Sequence, residues 1–267
     1  MRTLVPAAAL AALFLAGAAA AQQPGPYEPV HRDAVGTRLI NSASPFPVGG
    51  RRMEVLFTHR FRQAINDSNS HDLWGLDSGA DVGIGLAWGV TPHLDLSFYR
   101  ASFQEDFELA GKFLFLEQAA RVPVTVSLRA GADLLRRPGV VDSSRPFAQL
   151  LFARRLAPGV NLLVSPSWVA DTPRLKDAFN VPLGLTLPLP GHRLLELEYV
   201  PANHDLDESQ AAWHVAVSKP LGGHIFEVTF GNSRATTVDQ MLGGDSAAGF
   251  KESDVRLGFN IIRYFNL

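Results

Sequence analysis

The sequence contains no cysteine among its 267 residues. This absence excludes disulfide bridges, cysteine-based metal sites and thiol nucleophiles, so the fold must hold without covalent cross-links. After residue 21 the sequence also lacks any apolar run of the roughly 20 residues that a membrane helix needs. If the chain enters a membrane it must do so with strands, because the hydrocarbon core accepts only helices and closed barrels.

An excess of charge of one sign is lacking as well. The 24 Lys and Arg residues nearly balance the 26 Asp and Glu residues, and the formal net charge is −2. Without a basic footprint, nucleic acid is not expected as a partner. Neither G-x-S-x-G nor H-E-x-x-H occurs, and the sequence predicts no catalytic residue, no cofactor and no metal site. A hydrolase whose triad is assembled from separate strands is left open as the less favoured alternative.

The chain divides into three parts. Residues 1–21 have the form of a secretory signal peptide, with Arg2, the apolar core "LVPAAALAALFLAG" and "AAAA" before Gln22. Residues 22–50 are rich in Pro, Gly and Ser and are predicted to be a flexible periplasmic segment. The alternative for this stretch is a plug inside the barrel, because its apolar residues Leu39, Ile40 and Phe46 need cover. Residues 51–267 form the third part.

This third part alternates apolar and polar residues with a period of two, and we find no convincing helix in it. The pattern predicts twelve strands, at about 51–62, 81–90, 93–102, 107–117, 122–133, 145–156, 160–169, 179–187, 193–201, 211–218, 224–231 and 254–265.

The connections between these strands alternate between short and long. Tight turns such as "GVTP" (89–92) and "KPLGG" (219–223) alternate with long stretches such as 63–80 and 232–253, and only the link at 103–106 breaks the pattern. Outer-membrane barrels have short periplasmic turns and longer extracellular loops. We therefore predict an all-β fold, an antiparallel up-and-down transmembrane β-barrel of about 12 strands, in the outer membrane of a bacterial cell.

The strand faces and the aromatic residues favour a barrel over a soluble sandwich. In "DVGIGLAW" the apolar residues Val82, Ile84, Leu86 and Trp88 share one face. Aromatic residues cluster towards strand ends, as lipid headgroup regions select. Those beside short turns or the C-terminus are Trp88, Tyr264 and Phe265; those beside long connections are Phe103, Phe107, Trp168, Tyr199, Trp213 and Phe230. A closed barrel also pairs its last strand with its first, here "DVRLGFNIIRYFNL" with "RRMEVLFTHRFR".

Four stretches carry a resemblance to a known family: "RRMEVLFTHRF", "LWGLDSGADVGIGLAWGVTPHLDLSFYR", "GNSRATTVDQMLGGD" and "DVRLGFNIIRYF". Over about residues 35–267 the chain resembles a domain-of-unknown-function family of bacterial outer-membrane β-barrels. The resemblance implies a barrel fold and an outer-membrane location, and it supplies no site residue.

The face opposite the lipid is predicted to be a mixed-charge lumen. The lumen-lining candidates are Glu54, Arg60, Asp81, Asp95, Glu108, Lys112, Arg129, Arg155, Glu196, Glu198, His214, Glu227, Asp254 and Arg256. Rings of charge set selectivity in channels, so the favoured function is a passive, porin-like channel for small hydrophilic solutes. The alternative is a lumen closed by salt bridges, in a non-conducting barrel that anchors or binds a partner through loops 63–80 and 232–253. The expected partners are outer-membrane lipid, the outer-membrane assembly machinery and the solutes.

Two acidic stretches, "DSNSHD" at 67–72 and "NHDLDE" at 203–208, loosely resemble divalent-ion loops. The first has Asp where a calcium loop has its invariant Gly and lacks the spaced Glu. Both are therefore interpreted as solvated surface charge. The stretch "NSRATTVDQMLGGD" discriminates between the two main functions: folded inward it favours a channel with a constriction, and folded outward it favours partner binding.

Overall fold

The computed structural model describes residues 36–136, 143–172, 177–203, 209–221, 223–242 and 253–267. The predicted signal peptide at 1–21 lies outside the described residues, as does the first part of the predicted N-terminal segment. No helix in these ranges is long and apolar enough to cross a membrane.

Fourteen strand segments make up the wall. They are β1 (Arg52–Phe61), β2 (Ala80–Gly89), β3 (Leu94–Ala101), β4 (Asp106–Leu116), β5 (Thr125–Leu135), β6 (Ser143–Ala157), β7 (Val160–Val164), β8 (Ser167–Ala170), β9 (Asp177–Asn180), β10 (Leu183–Leu189), β11 (Arg193–Val200), β12 (Ala212–Leu221), β13 (His224–Gly231) and β14 (Arg256–Asn266).

Two of the wall strands are interrupted at prolines. Pro166 separates β7 from β8, and Pro182 lies between β9 and β10. Proline has no N–H for the ladder and can therefore interrupt a strand. The two halves stay aligned, since β8 pairs with β9 and β7 pairs with β10. Counting each interrupted strand once gives the closed antiparallel barrel of twelve strands that the sequence predicts.

The barrel closes where the first strand of residues 51–267 meets the last. Strand β14 pairs antiparallel with β1, from Arg52 opposite Asn266 to Arg60 opposite Gly258. The other neighbours follow chain order around the ring, with β5 paired to β6. The predicted pairing of first and last strands is confirmed, so neither β1 nor β14 is an edge strand.

The two faces of the wall have opposite character. On β2 the outward residues Ile84, Leu86 and Trp88 are 54%, 45% and 50% exposed, while Asp81 on the inward face is buried. A soluble sandwich would bury the apolar face instead. The exposed apolar face is the surface that a bilayer covers.

Several aromatic residues lie where the predicted belts require them, and Tyr264 does not. Trp88 and Phe265 are exposed at the short-turn end, and Tyr199 is exposed at the long-loop end. Tyr264, predicted to belong to the short-turn belt, instead faces the interior, because it pairs in register with the buried Glu54. Successive side chains of β14 point alternately outward and inward, and this alternation, rather than the aromatic character of the side chain, determines that Tyr264 points inward.

Short helical segments occur in the connections. Among the described residues, three are 3-10 turns, at Ile65–Asp67, Ser70–Gly75 and Phe103–Glu105, and one is a single α-helical turn, α1 (Val238–Leu242). The sequence analysis found no helix, because five residues are too few to show a helical period. Every residue of α1 is buried, so this turn lies within the barrel.

Candidate functional site

Most of the predicted lumen-lining residues are buried in the structure. Thirteen of the fourteen are buried, and the wall residue Arg155 is half-buried at the short-turn end, opposite the buried Asn161. The buried thirteen are Glu54, Arg60, Asp81, Asp95, Glu108, Lys112, Arg129, Glu196, Glu198, His214, Glu227, Asp254 and Arg256. Their burial at positions two residues apart follows from the strand period.

A segment of the chain itself fills the middle of this lumen. Residues 36–48, here called the N-terminal insert, lie inside the wall, with Leu39, Ile40 and Phe46 no more than 2% exposed. These three side chains pack in one cluster with apolar wall residues, which are Ala153, Leu163, Leu194 and Ala216. For segment 22–50 the sequence analysis favoured a flexible periplasmic segment and kept a plug as the alternative. The described part of this segment has the position of a plug.

Glu198 on β11 holds the centre of the N-terminal insert. Its carboxylate accepts hydrogen bonds from the backbone N–H groups of Asn41 at 3.0 Å and Ser42 at 2.7 Å. The Asn41 side chain adds a third bond, at 3.2 Å. His214 Nδ1 lies 3.4 Å from the same carboxylate. Charge-assisted bonds of this kind are roughly twice as strong as neutral ones, so Glu198 is a principal anchor.

Lys112 on β4 holds the later part of the insert. Its ammonium group donates to the backbone carbonyls of Phe46 at 2.7 Å and Ser44 at 3.2 Å, and it lies 3.6 Å from the Asp95 carboxylate. Asp95 in turn accepts the Val48 N–H at 3.1 Å. Charged groups of the wall therefore bind main-chain polar groups of the insert, which would otherwise be buried without partners.

A second inward-folded segment closes the long-loop end. Residues 232–242, here called the loop insert, carry α1, and Val238 and Leu242 pack against Phe147 and Val169 of the wall. The stretch "NSRATTVDQMLGGD" is thus directed inward over its described part, which is the arrangement that favours a constricted channel over an outward binding loop. Residues 243–252 lie outside the described residues.

Arg38 connects the two inserts. Its guanidinium donates to the Glu108 carboxylate at 2.7 Å and to the Thr236 carbonyl of the loop insert at 2.7 Å. Arg129 also bonds to Glu108. Arg38 was not predicted as a site residue, because nothing in an aperiodic segment indicates which side chain reaches the wall.

The loop insert brings together three buried carboxylates, from Asp106, Asp133 and Asp239. Each contributes an oxygen, and these oxygens lie within 4.8 Å of one another. Arg145 bonds to Asp239. None of these four residues was among the lumen candidates. The strand period could have indicated two of them: Asp133 lies on the same strand face as the candidate Arg129, and Arg145 lies on the same face as the buried Gln149. Asp239 carries no such signal, because it lies in a loop.

A small cavity lies between the N-terminal insert and the wall. This cavity, bordered by Glu54, Asp95, Tyr99 and Lys112, has a volume of about 30 Å³. That is room for roughly two water molecules. The charged residues predicted to line an open pore are, in this state, packed against the chain's own segments.

The acidic loop at 67–72 is organised by its own hydrogen bonds. Asp72 accepts the Asn69 N–H at 2.9 Å and the Gln63 side-chain amide at 2.8 Å. The bond from the Asn69 backbone is the main reason that the pKa of Asp72 is lowered from its usual value. This carboxylate caps a turn, in keeping with a structured surface loop. The other acidic stretch lies mostly outside the described residues.

Comparison with known proteins places the chain among membrane barrels. The family described as a membrane bound beta barrel domain (DUF5777) matches residues 35–265. No relative is found among the curated proteins.

Three solved structures that are similar to this chain are distant from it in sequence. Outer membrane phospholipase A from Escherichia coli is 12% identical, with 79% of this chain and 92% of that chain covered and a TM-score of 0.47. Omp33 from Acinetobacter baumannii is 9% identical, covering 80% and 98%, with a TM-score of 0.41. LpxR from Salmonella typhimurium is 10% identical, covering 80% and 100%, with a TM-score of 0.40. At these values the likenesses assign no activity to the chain.

Proposed function

The chain belongs to the membrane bound beta barrel family DUF5777, and from this premise we propose that it is a plugged channel of the bacterial outer membrane for small hydrophilic solutes. In the closed state the N-terminal insert occupies the lumen. Displacement of the insert towards the short-turn end, where it joins β1, opens the path. Transport by diffusion then depends on the insert, in contrast to a permanently open porin.

One observation carries this proposal: the wall beneath the insert is charged and binds the insert through its main chain. Glu54, Lys112 and Glu198 each contact the N-terminal insert. A wall that retains such groups under a removable segment becomes a hydrated, charge-lined passage once that segment leaves. A barrel built only as an anchor has no need of so polar an interior.

The barrel diameter supports a removable plug. About 8 strands give an interior that wall side chains can fill, and 16–18 leave an open aqueous channel. Twelve strands fall between these sizes, and here the intermediate space is filled by Leu39, Ile40 and Phe46 of the insert. Apolar side chains at this depth replace water that would otherwise solvate the wall.

A non-conducting barrel is the second candidate. The cavity of only about 30 Å³ beside the insert favours it. In this alternative the inserts are permanent parts of the core, and the exposed loop at 63–80 serves a partner. A membrane-embedded hydrolase is the third and least favoured alternative, as in the sequence analysis.

Conductance in a planar bilayer tests the proposal. Two proteins that span residues 22–267 are refolded, the wild type and the variant Glu198→Gln. The substitution removes the charge that binds the Asn41 and Ser42 N–H groups. Loss of about 1–2 kcal/mol of anchoring should raise the open fraction roughly tenfold. The matched control is Glu196→Gln, because Glu196 is equally buried but bonds to Ser218 of the wall.

A truncated chain, 51–267, completes the experiment. Large, stable conductance steps after truncation and brief openings in Glu198→Gln are the expected results. If all variants migrate as folded barrels in heat-modifiability gels and none conducts, the channel proposal is wrong and the non-conducting barrel is favoured.

A further inference from the structure

We propose that Asp106, Asp133 and Asp239 form a binding site for a divalent cation of calcium size, which fastens the loop insert to the barrel wall. Asp106 begins β4, Asp133 lies on β5, and Asp239 lies on α1. The site therefore joins two neighbouring strands to the segment folded over them. The proposal concerns binding and stands whether or not the barrel conducts.

The three carboxylates are too deeply buried to be solvated surface charge. Asp106 and Asp133 are each 0% exposed, and Asp239 is 1% exposed. Moving an isolated carboxylate from water into a protein interior costs several kcal/mol unless it is paired. A compensating group must therefore be present for each of them.

The hydrogen bonds of the described residues leave part of this cluster uncompensated. Asp239 is well supplied, since Arg145 and the Thr237 hydroxyl both bond to it. In contrast, Oδ1 of Asp106 and Oδ1 of Asp133 are buried and have no hydrogen-bond partner. Buried polar oxygens without a partner are rare in folded proteins and point to a missing ligand.

The charges of the surroundings lead to the same conclusion. With all three carboxyl groups ionised, they and Arg145 together would carry two negative charges. The adjacent group, in which Arg38 and Arg129 both bind Glu108, carries one positive charge. The region as a whole still has an excess of negative charge, which a bound cation would offset.

The donor set fits a hard cation with oxygen ligands. All three side chains offer carboxylate oxygen, and the Thr237 hydroxyl lies 2.9 Å from Asp106 Oδ2. The cluster oxygens lie within 4.8 Å of one another. Magnesium demands a near-ideal octahedral geometry at roughly 2.0–2.1 Å and usually keeps several waters, with only one or two carboxylates as ligands. Calcium accepts several carboxylates at roughly 2.3–2.6 Å in a flexible geometry, so three buried carboxylates fit an ion of calcium size better.

Such an ion would have a structural consequence for the loop insert. Its ligands would come from β4, β5 and α1, so binding requires α1 to lie inside the barrel. By linkage, an ion that binds only this arrangement stabilises it against any state in which the loop insert is displaced.

Binding measurements on residues 22–267, refolded in detergent and stripped with EDTA, test the site. Calorimetric titration with Ca²⁺ should show one ion per chain, and Ca²⁺ should raise the temperature at which the folded gel mobility is lost. Asp106→Asn and Asp133→Asn should each weaken binding by about tenfold or more. The control Glu196→Gln, a buried acid outside the cluster, should leave the affinity unchanged.

Three outcomes would overturn the proposal. The first is a folded wild-type barrel that binds no stoichiometric Ca²⁺, in which case protons compensate the carboxylates. The second is binding that is unchanged in both Asp→Asn variants, which would place the ion elsewhere. The third is a preference for Mg²⁺ over Ca²⁺, which contradicts the ion size inferred here.

Discussion

Tyr99 shows how single residues shape the interior of this barrel. Its side chain is 2% exposed, its hydroxyl lies 2.7 Å from Thr58 Oγ1, and the Arg38 guanidinium stacks over its ring at 4.5 Å. The ring fits only because the neighbouring strand has glycine at position 83. A Cβ atom there would lie 1.9 Å from the Tyr99 hydroxyl oxygen.

Replacing this glycine tests the packing. Gly83→Ala should displace Tyr99, break its bond to Thr58 and lower the free energy of unfolding by about 1–3 kcal/mol. The measurement is urea-induced unfolding of the barrel in lipid vesicles. Gly111→Ala is the matched control, because its Cβ would meet Leu96 at an ordinary 3.4 Å. Equal stability of the two variants would contradict the role given to Gly83.

For single residues, the sequence predicts whether a side chain points into the barrel or out of it, but not which groups the side chain contacts. The period of two identifies Glu54, Glu198 and Lys112 as inward residues, and they are buried. The same parity would have turned Tyr264 inward, had it been applied to the end of β14. What these side chains bind depends on an aperiodic insert that is remote in sequence, and no local pattern reports such contacts.

At the scale of elements, all twelve predicted strands are present, with ends that differ by a few residues. The exceptions have local causes: two strands are split at Pro166 and Pro182, and α1 is too short to show a helical period. The position of α1 within the barrel depends on tertiary contacts, among them the bond between Arg145 and Asp239.

Removal of that bond should release the loop insert. Arg145→Met leaves Asp239 buried without its ion pair, at a cost of about 3 kcal/mol or more. Trypsin in the presence of EDTA should then cleave after Arg234, within the loop insert, on the order of a hundredfold faster than in the wild type. Mass spectrometry identifies the product.

The control for this experiment is Arg100→Met. Arg100 stacks over Phe107 and makes no contact with the loop insert in the hydrogen bonds of the described residues. Similar cleavage rates in the two variants would show that the ion pair with Arg145 does not hold the loop insert in place.

At the scale of the whole molecule, the outward surface defines the environment of the protein. Val228 lies at the middle of β13 and is 49% exposed, whereas Phe265 lies near the end of β14. In a bilayer, an arginine at the midplane of a barrel costs about 2–4 kcal/mol, and one near the interface about 0–1 kcal/mol.

The pair Val228→Arg and Phe265→Arg therefore measures the membrane position. The first should lower the free energy of unfolding from lipid vesicles by several times as much as the second, and reversible urea titration gives both values. Equal costs would mean that the two positions do not differ in depth, contrary to the belts described above.

The global fold was predictable because alternation of loop lengths, strand parity and aromatic belts are all local properties of the sequence. The state of the lumen was not. Filling of the barrel depends on where residues 36–48 and 232–242 come to lie, and neither segment has a period that indicates it. From the sequence, an open and a closed lumen are therefore both possible. In the structure the two inserts fill the lumen.

The seam between β1 and β14 has a consequence for biogenesis. The ring of hydrogen-bonded strands is complete only when the strands that carry Arg52 and Asn266, at opposite ends of the barrel sequence, have paired. A chain that stops early does not give a narrower cylinder; it gives a sheet whose two outer strands both expose unpaired N–H and C=O groups. Nonsense mutations in the final strand should therefore yield aggregation-prone sheets, and not smaller barrels.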